Sequence, residues 1–96
     1  MKPIDRLAAA FCSVTDARTM RRLLAEMLTP AEIDDLVLRW RLMEMLEAGS
    51  SQRAIAGRLG ISLCKITRGS KVLKGRGSVA RTLIAGQAGD RAEGEL

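Results

Sequence analysis

Residues 50–74 read SSQRAIAGRLGISLCKITRGSKVLK, and the whole fold turns on this stretch. Its apolar residues Ile55, Leu59, Ile61 and Ile66 fall where two short helices crossing at a steep angle need them, and Ala56 is small where the helices come closest. Gly60 stands just past the end of the first helix, a position that usually takes φ > 0, which glycine adopts at no steric cost. Ser62 is placed to cap the second helix, its oxygen accepting from a backbone N–H of the first turn. A small residue followed four positions later by glycine, with branched residues around the turn, is the helix-turn-helix pattern that sets its second helix in a DNA major groove. A plain αα-hairpin with a glycine turn shares that spacing, so the charges have to separate the two.

They are lopsided. Arg53, Arg58, Lys65, Arg68, Lys71, Lys74, Arg76 and Arg81 lie between Gly49 and Ile84 with no Asp or Glu among them, whereas Glu26, Glu32, Asp34, Asp35, Glu44 and Glu47 crowd the stretch upstream. The formal net charge of +5 understates this asymmetry. A basic block laid over a helix-turn-helix is the electrostatic footprint of a phosphate-binding surface.

Ninety-six residues make one domain at most, and a lone helical unit of that size buries little apolar surface, which makes a second subunit a natural complement. Phe11 and Trp40 are the sole aromatic residues, so the core must come from Leu, Ile, Val, Met and Ala, a composition that favours helices. Cys12 and Cys64 are far apart and histidine is absent, which leaves metal ligation and a disulfide framework unsupported and points to reduced thiols in a cytoplasm. Neither a signal peptide nor an apolar run near membrane-spanning length is visible, so the expectation is a soluble cytoplasmic protein with no membrane partner. Without histidine, a nucleophile beside a base, or a carboxylate pair suited to a cleft, an enzyme is not expected.

Upstream, residues 3–14 carry Ile4, Leu7, Ala8, Phe11 and Cys12 at helical spacing. Thr15 or Asp16 can cap a second helix with Met20, Leu23, Leu24 and Met27 in one stripe, ending before Leu28. Thr29-Pro30-Ala31-Glu32 has the form of a capping box with proline at the first helical position. The helix it opens runs to about Ala48, and its apolar residues wind around more than one face, predicting a central strut buried on two sides, packed by its own chain and open to packing by a second subunit. Downstream, residues 75–78 form a break, and Ser78 can cap a short last helix carrying Val79, Leu83 and Ile84. Residues 85–96 are small and polar and read as a disordered tail. The expected fold is thus all-α, one helical domain over 1–84 with the helix-turn-helix at about 51–74.

Gly69 interrupts the second motif helix three residues after Ile66, where a bulky apolar side chain is the rule. Glycine there leaves a void that a packed interior would fill, either with a neighbouring side chain or with a small flat ligand. Arg68 and Arg39 could offer two guanidinium planes to such a ligand, which would then be aromatic and anionic.

With MLTPAE, SQR, ITRGS and the LK just beyond it in hand, the chain resembles the tryptophan operon repressors over roughly Met27 to Lys74. The resemblance implies an intertwined homodimer of six-helix subunits that binds a palindromic double-stranded operator when L-tryptophan is present. Carried over by position, Arg39 and Arg68 would sandwich the indole, Gly69 would floor the slot, and Leu28 and Thr29 would close it from the partner subunit. Gln52, Thr67 and Lys74 would hold phosphates and Arg53 a guanine edge, with Leu63, Cys64, Lys65 and Ile66 at the end of the recognition helix that enters the groove. Val72 stands where the family usually has a serine near the ligand's amino group, Glu26 replaces a usual leucine and Lys65 a usual threonine, and the turn before Ser51 is one residue shorter. The expected function is a tryptophan-dependent repressor. The alternatives are a constitutive regulator of the same fold, one using another indole or aromatic acid, or a basic helical module that binds an acidic protein.

Overall fold

The computed structural model describes residues 1–94, with side chains to residue 87. Six helices follow one another: α1 (Pro3–Cys12), α2 (Ala17–Met27), α3 (Pro30–Glu47), α4 (Gln52–Leu59), α5 (Leu63–Lys74) and α6 (Val79–Gly94). Where one domain is expected over 1–84, two compact units are distinguished, the first Met1–Asp35 and the second beginning at Leu36.

Local chemistry sets the helix starts of the first unit. Asp16, not Thr15, caps α2, its carboxylate Oδ2 accepting from the Thr19 N–H at 2.8 Å. At the start of α3 the capping box forms in full: the Thr29 N–H donates to Glu32 Oε1 at 2.9 Å, and the Glu32 N–H donates to Thr29 Oγ1 at 3.2 Å. The backbone N–H of Thr19, with help from its hydroxyl, holds the Asp16 carboxyl below its ordinary pKa, and Thr29 does the same for Glu32 in the same order of importance. Both carboxylates are exposed, and neither α1 nor α2 has a buried residue.

The second unit holds the core, built from Leu42, Met43, Ile55, Ile66, Leu73 and Ile84. Here α4 packs on α5 and α5 on α6. Ser78 caps α6 through the Arg81 N–H at 3.2 Å. An ion pair between Arg81 Nε and Glu47 Oε1, at 3.6 Å, joins α6 to the end of α3.

Two expectations need correction, and a third, the long helix buried on two sides, is met within this chain on one: its buried residues are Leu42 and Met43, while Leu36 and Val37 are exposed, Val37 by 60%. Those two residues, with Trp40, Arg41 and Glu44, border an open groove of about 490 Å³. The last helix is not short: α6 continues through residues 85–94, and only Glu95 and Leu96 of the expected tail lie outside the described residues. Ser62 has the extended backbone of a cap residue, φ −72° and ψ 152°, but its hydroxyl makes no capping bond.

Candidate nucleic-acid interface

Each end of α4 is held by a local device. Ser51 Oγ accepts from the Ala54 N–H at 3.1 Å at its start, and Gly60 closes its end in the left-handed region, φ +66°, donating its N–H to the Ala56 carbonyl at 2.9 Å. The chain then turns through Ile61 and Ser62 into α5. Ile55 and Ile66, both wholly buried, lock the two helices together, with Ala56, Leu59 and Ile61 packed against that core. A rigid crossing of this kind is what a recognition helix needs, because it fixes which side chains face outward.

Gln52, Arg53, Leu63, Cys64, Lys65, Thr67, Arg68 and Lys74 are all exposed, as are Arg58, Lys71 and Arg76. Leu63, at 50% exposure, is an apolar tip beside cationic Lys65. The Thr67 hydroxyl donates to the Leu63 carbonyl at 2.9 Å, which orients its oxygen and leaves it free to accept. Ile66 does not belong with this set. At zero exposure it is a core residue whose burial places its neighbours outward, so it cannot touch a base.

On the other side of α5, the notch at Gly69 is occupied. A Cβ at that position would collide with Leu42 Cδ1 and come within 3.4 Å of Met43 Cγ and 3.7 Å of Leu46 Cδ1. Of the two ways to fill the void, the neighbouring side chain is the one seen: the end of Leu42, from α3, lies where a side chain at Gly69 would begin. Arg39 lies on the α3 stripe of Leu42, Met43 and Leu46, and Arg68 and Val72 flank Gly69 on α5. The second unit therefore carries Arg39, Arg68, Gly69 and Val72 around one helix crossing, with both arginines exposed and Val72 46% exposed. Leu28 and Thr29 belong to the first unit, where the Thr29 hydroxyl is engaged in the capping box.

The sequence profile of the family described as Trp repressor protein matches residues 2–87. A Trp operon repressor homolog of Xylella fastidiosa (strain M23) is 37% identical over 71 residues, which cover 73% of this chain and 77% of that protein. The chain belongs to the Trp repressor family. Similar Trp repressor relatives are the Trp operon repressor homologs of Vibrio atlanticus (strain LGP32) and Vibrio cholerae serotype O1, each 39% identical over 64 residues covering 66% of this chain, and 65% and 62% of theirs. No solved structure matches the chain significantly. Trp repressors are regulators, and the all-helical architecture described above accords with membership of that family. No helix among the described residues is long and apolar enough to cross a membrane.

Proposed function

We propose that this protein is a transcriptional repressor of the cytoplasm that binds a palindromic DNA operator as a homodimer, with L-tryptophan as corepressor. The observation that carries this reading is the exposed basic end of α5, presented on a helix crossing locked by Ile55 and Ile66. Leu63, Cys64 and Lys65 enter the major groove, Arg53 contacts a guanine edge, and Gln52, Thr67 and Lys74 hold phosphates on either side. Helix-turn-helix dimers, the Trp repressors among them, set two such helices about 34 Å apart to meet successive grooves. The apolar groove of Leu36, Val37 and Trp40 supplies a surface for the second copy, which a chain with so small a core needs.

Corepressor binding acts at the α3–α5 crossing. The indole lies between Arg39 and Arg68, over Gly69, and enters by displacing the end of the Leu42 side chain. Moving that end shifts α5 against α3, and a ligand can drive such a shift only by as much as it prefers the shifted state. Val72 favours one variant of this reading. An exposed valine beside Gly69 offers no acceptor to an ammonium group, so an aromatic acid without the amine competes as the effector.

Two measurements test the proposal. L-tryptophan is titrated calorimetrically into the protein and the titration repeated with indole-3-propionate; binding of neither removes the corepressor. A duplex selected from a random-sequence pool is then bound with and without ligand across a salt series. Several phosphate contacts give a steep fall of log K with log salt. Weak, sequence-independent binding would instead mark a basic module for an acidic protein.

A further inference from the structure

Between the C-terminal end of α3, the far side of α5 and the first turn of α6 lies a cleft of about 300 Å³, lined by Leu46, Glu47, Ser70, Leu73, Lys74 and Arg81. Leu46 and the buried Leu73 give it an apolar floor. Around that floor stand three donors: the Ser70 hydroxyl, the Lys74 ammonium and the Arg81 guanidinium. Ser70 is half-buried, and its hydroxyl has no hydrogen-bond partner among the described residues. Ser70 and Lys74 are four apart on α5 and share a face.

Glu47 is the one acid in the lining, and its hold on Arg81 is loose. The Nε to Oε1 separation is 3.6 Å and the two side chains are 61% and 34% exposed. Exposed pairs of this kind contribute little to stability. The guanidinium is a planar fork with further N–H groups, suited to grip a second oxyanion in bidentate fashion.

We infer that this cleft takes a backbone phosphate of the DNA duplex, with Arg81 and Ser70 joining Lys74 as donors and Glu47 as the counter-ion the phosphate displaces. The inference rests on the DNA-binding reading above and adds two contact residues and a built-in competitor to it. Helix length supports the placement. From Leu63 to Lys74 the rise is about 16 Å, longer than the roughly 12 Å width of the major groove, so with the N-terminal end of α5 in the groove its C-terminal end lies over a flanking strand. Lys71 and Arg76, near Lys74 in the chain, are also exposed cations.

The test is fluorescence anisotropy of the selected duplex over a salt series, with the dimer of the wild type and of R81Q, R81K, E47Q and S70A, each checked for helicity by circular dichroism. R81Q should bind more weakly and lower the slope of log K against log salt by about 0.9 for each copy of the cleft on the DNA, while R81K retains the slope. E47Q should bind roughly two- to fivefold tighter at low salt, because a competing charge has gone. S70A should lose a few-fold in affinity with the slope unchanged, since its donor is neutral. A strut that merely pins α6 to α3 would make R81Q and E47Q move affinity in the same direction, and that result, or an unaltered slope in R81Q, overturns the inference while leaving the DNA-binding reading intact. Absence of salt-dependent binding in the wild type overturns both.

Discussion

Replacing Gly69 by alanine sets two effects of known size against each other. Inside a helix the change gains about 1 kcal/mol in propensity. Against that, the new Cβ collides with Leu42 Cδ1 and sits 3.4 Å from Met43 Cγ, so the end of the buried Leu42 side chain has to swing aside. Overpacking of this kind costs about 1–3 kcal/mol. The net expectation for G69A is a loss of about 0–2 kcal/mol, too small to be decisive alone. The discriminating measurement is a double-mutant cycle by urea denaturation. Leu42→Ala alone should cost about 2–5 kcal/mol by opening a cavity, but in that background the collision is gone, and G69A should stabilise by about 1 kcal/mol. The coupling between the two positions is then about 1–3 kcal/mol. Protein concentration is held constant throughout, since unfolding of an oligomer depends on it. Equal effects of G69A with and without Leu42 would refute the contact of Leu42 with Gly69 as the reason for the glycine.

Gly60→Ala, at φ +66°, should destabilise the protein by about 1 kcal/mol in the same denaturation assay, because alanine is strained in the left-handed region. Ser51→Ala should cost a similar amount, about 1 kcal/mol, through loss of the bond to the Ala54 N–H. Arg53→Ala should relax operator specificity, losing about 1–3 kcal/mol of discrimination by competition binding, while calorimetry shows corepressor affinity unchanged. Acid stability should follow Asp16 and Glu32: their folded pKa values are lowered from ordinary values of 3.8 and 4.5, so their contribution is complete only above about pH 5 and is lost as pH falls through the folded values. Thermal melts from pH 6 down to pH 2 should show that loss, and the D16N/E32Q pair should flatten it.

What could be read in advance was what is local in the chain. The capping box of Thr29 and Glu32, the left-handed turn at Gly60 and the cap at Ser78 depend on residues within four positions of one another, and each is present as the sequence predicts. Ser62 shows the limit even there, since a residue can adopt the cap backbone without its hydroxyl finding a partner. Tertiary features were less legible. Gly69 announced a void, but nothing in the spacing says that Leu42, twenty-seven positions earlier, enters it. Ile66 lies in the stretch that faces the groove and yet points to the core, because helical periodicity alternates the two environments every few residues. Apolar residues winding around α3 promised two covered faces, and only the Leu42 and Met43 side is covered within the chain. Small residues with scattered charges suggested a tail where α6 continues.

The open groove of Leu36, Val37 and Trp40 on α3 has a consequence for gene dosage. If two copies must meet there before an operator can be held, the active species rises with the square of subunit concentration while pairing is incomplete. Halving synthesis of the chain would then cut the assembled repressor about fourfold, by mass action. A regulator built this way responds steeply to its own abundance, quite apart from any response to its effector.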